Sequence, residues 1–78
     1  MSTSFVVEEA GCESCAALVR ESLEPLGTVE SVEIDEAADV SRVVLSGAVT
    51  EAEVGAALAE ASEGVGHAYR VRPGSWSD

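Results

Sequence analysis

The sequence AGCESC, residues 10–15, joins an extended apolar run to a helical pattern. It contains the only two cysteines of the 78-residue chain, Cys12 and Cys15. This spacing places the first thiol in a loop and the second in the first turn of a helix, where both can face one point. The unpaired N–H groups and the positive dipole end of that helix favour the thiolate over the thiol. Two thiolates this close suit either the binding of a soft metal ion or a cycle between dithiol and disulfide.

The residues on either side of this stretch predict a strand before it and a helix after it. Alternation places Phe5 and Val7 on one face of the strand and Val6 on the other. Beyond the cysteines, apolar side chains recur at the spacing of an amphipathic helix: Ala16, Val19, Leu23 and Leu26. Pro25 and Gly27 bring this helix to an end.

The rest of the chain predicts three more strands and a second helix. Thr50 and Glu53 have the spacing of a capping box, in which each side chain accepts a hydrogen bond from the other residue's backbone N–H. Two alternating segments before this box predict a hairpin, and another alternating segment ends at Pro73. We therefore expect helices at 14–26 and 51–62 and strands near 3–8, 29–35, 42–46 and 68–72.

This order of elements indicates an α+β fold of the ferredoxin-like type, βαββαβ, with a four-stranded antiparallel sheet and both helices on one face. The right-handed rule for crossover connections leaves few other topologies for the same order. A chain of this length supports one small core, so we expect one domain at residues 1–73. Residues 74–78 are expected to form a flexible tail in which Trp76 is exposed.

The charge balance of the chain is strongly acidic. Fifteen Asp and Glu residues face four basic residues, all of them arginine, and the formal net charge is −11. Such a lysine-free surface is typical of a halophilic host that accumulates salt, and the alternative is a surface shaped for one basic partner. Nucleic acid is excluded as a partner because no basic patch is present to neutralise phosphates.

The apolar segments of the sequence are short. No charged leader followed by a long apolar run opens the chain, and no segment approaches the roughly 18 apolar residues of a membrane-spanning helix. We therefore expect a soluble, cytoplasmic protein without membrane insertion, whose thiols are kept reduced.

The chain resembles the heavy-metal-associated domain family, which includes copper metallochaperones and the N-terminal modules of copper-transporting P-type ATPases. The resemblance covers about residues 3–72 and rests on three features: the motif at 11–15, the order of the six elements, and a Gly66-His67 turn before the last strand. The family pattern is Gly-Met-x-Cys-x-x-Cys. Here Ala10 stands at the methionine position and Glu9 at the preceding glycine.

The resemblance implies a non-enzymatic carrier that buffers Cu(I) and passes it by thiolate exchange to a copper-transporting ATPase or a similar acceptor. Cys12 and Cys15 are the metal ligands that it implies. His67 is a candidate third ligand, because the turn after the second helix lies beside the cysteine loop in this fold; the alternative is an exposed histidine without a role. A monomer is expected without metal, and copper can bridge two copies by accepting a further thiolate.

Ligand softness favours Cu(I), which accepts two thiolates in a near-linear arrangement, over Zn(II), which prefers four ligands. Three other functions stay open at this point. The same thiols suit a module for Zn(II), Cd(II) or Hg(II), or a small dithiol–disulfide oxidoreductase. The fold also suits a partner-recognition module in which the thiols are incidental.

The net charge of −11 predicts that the protein becomes more stable as monovalent salt is added. Repulsion between surface carboxylates destabilises the folded state, and salt screens it over a distance of about 10 Å at 0.1 M. We expect the melting temperature, followed by circular dichroism, to rise steeply between low and molar NaCl. A melting temperature that stays flat over this range would contradict the prediction.

Overall fold

The β1 strand lies inside the sheet and supplies the centre of the core. The computed structural model describes residues 2–77. Met1, in the predicted domain, and Asp78, in the predicted tail, lie outside the described residues. The elements in chain order are β1 (Ser2–Glu8), α1 (Glu13–Leu23), β2 (Thr28–Asp35), β3 (Val40–Ser46), α2 (Glu51–Ser62) and β4 (Arg70–Val71). The strands form one antiparallel sheet in the order β2-β3-β1-β4, which confirms the predicted ferredoxin-like fold.

The core lies between the sheet and the two helices. Phe5 and Val7 of β1 are buried and Val6 is only half-buried, as the predicted alternation requires. The apolar faces of both helices pack against this side of the sheet. Their most buried members are Val19, Leu23, Val54 and Leu58. No helix among residues 2–77 has the length and apolar character to cross a membrane.

Helix α1 ends at Leu23, three residues before the predicted end. The last helical bond joins the Glu24 N–H to the Arg20 carbonyl at 3.0 Å, and Pro25 has no N–H to continue the series. The Leu26 N–H donates instead to the Leu23 carbonyl at 2.9 Å, which closes a tight turn. Leu26 therefore keeps its contact with the core without being helical.

Helix α2 begins and ends as predicted, and its capping box is present. The Glu53 N–H donates to the Thr50 hydroxyl at 3.2 Å, and the Thr50 N–H donates to the Glu53 carboxylate at 3.1 Å. The predicted β2–β3 hairpin is also confirmed, but β3 begins at Val40 and not at residue 42. The apolar pattern did not predict this start, because Ser41 is polar although it is fully buried in the sheet.

Strand β4 contains only two residues, whereas the prediction spanned 68–72. The N–H groups before it donate to side chains and not to a neighbouring strand. The Ala68 N–H donates to the Glu9 carboxylate at 3.3 Å, and the Tyr69 N–H donates to the Ser62 hydroxyl at 2.9 Å. Pairing with β1 therefore begins only at Arg70.

The segment after β4 continues in the same direction along β1, on the side where β4 pairs. The prediction that Trp76 is exposed is wrong: its indole is half-buried and stacks on Phe5, with ring centroids 5.2 Å apart. Ser77 exchanges two backbone hydrogen bonds with Ser4, at 2.7 and 2.8 Å. The Ser75 hydroxyl accepts a hydrogen bond from the Val6 N–H at 3.1 Å. Residues 75–77 are therefore packed against β1, and the domain boundary at residue 73 stays a prediction.

Candidate metal centre

The loop between β1 and α1 places the two cysteines at the N-terminus of the helix. The strand ends at Glu8, and Glu9 turns the chain with a φ of +61°, in the left-handed region. Cys12 then adopts an extended conformation, with φ −126° and ψ 160°, as the N-cap residue of α1. Cys15 follows in the first turn. The sequence prediction of one thiol in the loop and one in the helix is therefore confirmed.

The two cysteines differ in exposure but contact each other. Cys12 is exposed, whereas only 4% of Cys15 is accessible to solvent. The sulfur of Cys12 accepts a hydrogen bond from the Cys15 N–H at 3.3 Å, in the way that a serine or aspartate oxygen caps a helix. Both cysteines are free thiols. The arrangement therefore presents one accessible sulfur and one sheltered sulfur at the same helix end.

Burial opposes the ionisation of the inner thiol. Desolvation raises the pKa of Cys15 above its ordinary value of 9.0, and a side-chain hydrogen bond with Cys12 raises it further. The prediction that the thiolate is favoured is therefore wrong for Cys15, whose pKa is raised chiefly by burial. A metal ion that binds this sulfur has to displace its proton.

Tyr69 lies at the site, although the sequence patterns did not identify it as a site residue. It is 4% exposed and belongs to the same apolar cluster as Cys15. Burial raises the pKa of Tyr69, and the neighbouring Cys15 thiol raises it further. The phenol in turn lowers the pKa of Cys15, because a neighbouring hydroxyl favours the thiolate. No local signal identifies this contact, because it joins the first turn of α1 to the segment before β4.

The structure does not bring His67 together with the thiols as a third ligand. Its exposed imidazole stacks on the Tyr69 ring, with centroids 5.7 Å apart and planes inclined by 10°. Within residues 2–77, no group of three His, Cys, Asp or Glu side chains is placed to hold one metal ion. His67 is therefore linked to the site through Tyr69, which belongs to the same buried cluster as Cys15.

The residues before the cysteines are buried and anchored. Ala10, at the position where the family pattern has methionine, is fully buried, and its carbonyl accepts a hydrogen bond from the Ser41 hydroxyl. Gly11 is buried as well. The loop is therefore closed against the start of β3 on its inner side, and Cys12 is its exposed point.

The thiol pair fits a soft metal ion with a low coordination number. Thiolate sulfur is the ligand type that such ions select, and two sulfurs at one helix end supply two ligands without a change of fold. The exposure of Cys12 leaves one side of the pair open to an incoming ligand.

Comparisons with known proteins agree with this geometry. The family model described as heavy-metal-associated domain matches residues 4–67. Oxidized MerP from Ralstonia metallidurans CH34 is similar in structure, with a TM-score of 0.61, 16% identity, and coverage of 92% of this chain and 99% of that chain. A structure described as "Crosstalk between Cu(I) and Zn(II) homeostasis" gives a TM-score of 0.57, 21% identity, and coverage of 88% and 94%. At these identities the likeness to solved structures shows the fold. No curated protein matches the chain.

The difference in exposure predicts unequal reactivity of the two thiols. In the reduced, metal-free protein at neutral pH, we expect iodoacetamide to alkylate Cys12 faster than Cys15, because Cys15 is buried and its pKa is raised. The rate at Cys15 should climb as the pH rises beyond 9.0 toward that raised pKa, because the thiolate fraction grows. Peptide mass spectrometry measures both rates. The urea-unfolded protein is the control, in which the rates converge, and equal rates in the folded protein would contradict the prediction.

Proposed function

Because the chain belongs to the heavy-metal-associated domain family, we propose that it carries Cu(I) on Cys12 and Cys15 and transfers it to a partner protein. The observation that carries this proposal is the pair of free thiols at the N-terminus of α1, one exposed and one buried. Copper is the ion that the protein carries. Its transfer is an exchange of the ligands that hold the metal, and the protein catalyses no reaction.

The choice of Cu(I) rests on the number and type of ligands. Two thiolates satisfy Cu(I), which is soft and accepts two-coordination, whereas Zn(II) takes four ligands in structural sites. Binding displaces the proton of Cys15, whose pKa is raised by burial, so metal uptake is linked to proton release. The Tyr69 phenol offsets part of this cost, because its presence lowers the pKa of Cys15.

The unequal exposure of the two sulfurs suggests the order of events during transfer. An incoming thiolate of the partner reaches the metal from the exposed side, where Cys12 lies, and forms a three-coordinate intermediate. Cys12 leaves first, and a second thiolate of the partner then replaces Cys15. The ion is never released into water, because each bond to the carrier breaks only after a bond to the acceptor has formed.

The acceptor that fits this exchange is a protein with a thiolate pair of its own. We propose a copper-transporting P-type ATPase that receives the ion on its cytoplasmic side. Its docking face needs basic groups or salt-screened contact, because the carrier has a formal net charge of −11.

Replacement of either cysteine should abolish tight binding. We expect Cys12→Ser and Cys15→Ser each to lower the Cu(I) affinity by several orders of magnitude, because one thiolate cannot complete a two-coordinate site. An anaerobic competition titration against a Cu(I) chelator measures the affinity. Ser14→Ala is the matched control, since Ser14 is exposed in the same helical turn and should leave the affinity unchanged.

Three outcomes of this titration would contradict the proposal. Unchanged affinity in either cysteine variant, with dimerisation excluded, would reject the two-thiolate site. Tighter binding of Zn(II), Cd(II) or Hg(II) than of Cu(I) would assign another cargo. Disulfide reductase activity of the metal-free protein, without tight metal binding, would assign a redox function.

X-ray absorption tests whether His67 is a ligand. The proposed two-thiolate set predicts two sulfur scatterers and no nitrogen, both in the Cu(I) complex of the wild type and in that of His67→Ala. The stack of His67 on Tyr69 is the reason to expect no nitrogen. A nitrogen scatterer that disappears in His67→Ala would show that the ring leaves Tyr69 and binds copper.

A further inference from the structure

The turn between β2 and β3 is attached to the cysteine loop through one residue, Asp39. The Asp39 carbonyl accepts a hydrogen bond from the Ala10 N–H at 3.2 Å. The Oδ1 atom of Asp39 accepts a second one from the Gly11 N–H at 3.1 Å. One residue therefore satisfies two successive N–H groups directly before Cys12.

The contact at Gly11 leaves no room for a side chain. A Cβ atom at this position would lie 2.4 Å from the Cα of Asp39 and 2.7 Å from its Oδ1. Such distances are far below van der Waals contact, so the two backbones approach as closely as they do only because residue 11 is glycine. The glycine before the first cysteine is thus required by packing against Asp39.

Backbone strain marks both sides of the contact. Among residues 2–77, the non-glycine residues with positive φ are Glu9, at +61°, and Asp39, at +55°. Glu9 immediately precedes the anchored segment, and Asp39 is the anchor. Strained residues persist where the surrounding structure fixes them and are concentrated at functional sites. Asp tolerates this conformation better than most residues because its short polar side chain can bond locally.

We propose that Asp39 is a positioning residue for the metal site, which holds the Ala10–Cys12 backbone in its metal-binding conformation before the metal arrives. This proposal rests on the proposed function for its effect on copper, but the attachment itself is a property of the metal-free protein. The side chain of Ala10 is a single methyl group, so it fixes the loop only weakly. The hydrogen bonds from the Ala10 and Gly11 N–H groups to Asp39 fix the loop instead.

The attachment affects metal binding through preorganisation. A loop that is free before binding loses conformational entropy when the metal fixes it, and this loss weakens binding. The bond from the Gly11 N–H ends on a carboxylate, and bonds of this charge-assisted kind are stronger than those between neutral groups. Because Cys12 follows Gly11 directly, the same bond restrains the backbone that leads to the sulfur released first in the proposed transfer.

Two substitutions separate the carboxylate oxygen from the backbone conformation. Asp39→Gly keeps the positive φ and the backbone carbonyl but removes the Oδ1 acceptor. We expect it to lower the Cu(I) affinity about tenfold, the loss expected for one hydrogen bond to a charged group. Asp39→Asn keeps an oxygen acceptor and tolerates positive φ but loses the charge. Because a neutral bond is about half as strong as a charge-assisted one, we expect a smaller loss of affinity, about threefold.

Asp35→Ala is the matched control within the same hairpin. The Asp35 carboxylate accepts a hydrogen bond from the Ala38 N–H at 3.2 Å and makes no hydrogen bond with the cysteine loop. Its removal should lower the free energy of unfolding without changing the Cu(I) affinity. Equal losses of affinity in Asp35→Ala and Asp39→Gly would show a merely structural effect and would overturn the proposal.

Amide hydrogen exchange of the metal-free protein tests the attachment without copper. We expect the Gly11 amide to be protected in the wild type and in Asp39→Asn, and to exchange faster in Asp39→Gly, with core amides unchanged. An unprotected Gly11 amide in the wild type would overturn the proposal, even if Asp39→Gly failed to fold. Weak Cu(I) binding by the wild type would instead reject the proposed function, and the exchange data would still decide the role of Asp39.

Discussion

The hydrogen bond from the Cys15 N–H to the Cys12 sulfur is the interaction on which the site depends. It makes one sulfur atom serve both as the cap of α1 and as the exposed member of the thiol pair. The helix cannot begin elsewhere without moving the ligand, and the ligand cannot turn away without leaving the first turn uncapped. Secondary structure and the geometry of the site are thus fixed by the same contact.

Local signals in the sequence were sufficient for most of the fold. The alternation of β1 and the capping box of Thr50 and Glu53 act between near neighbours, so their patterns predicted the elements correctly. The failures arose where a hydrogen-bonding partner or a missing N–H overrides the apolar pattern. Strand β4 is short because the N–H groups of Ala68 and Tyr69 bond to side chains 59 and 7 residues away. Apolar spacing also extended α1 to Leu26, although the missing N–H of Pro25 stops the helix earlier.

The candidate site divides in the same way. Cys12 and Cys15 were identified from their spacing and from the start of a helix, which are both local features. The residues that support them were not predictable, because Asp39 lies 28 residues beyond Gly11 and Tyr69 lies on the segment before β4. Their contacts with the loop exist only after the sheet and the helices have packed. The exposure of the two thiols likewise follows from tertiary packing, and the burial of Cys15 raises its pKa.

The packing of residues 75–77 along β1 has a consequence for solubility. A two-residue β4 would leave much of the β1 edge with unpaired N–H and C=O groups, and open edges of this kind recruit strands from other molecules. Ser77 pairs with Ser4 through both backbone groups, and the Ser75 hydroxyl accepts a hydrogen bond from the Val6 N–H, so this side of β1 is covered. The outermost elements are then a two-residue strand and an isolated bridge, and such short edges offer little template for another strand. The opposite edge, β2, is protected in another way, since its exposed carboxylates repel a second copy. One side of the sheet is thus protected by short outer segments and the other by charge, and both features oppose edge-to-edge aggregation.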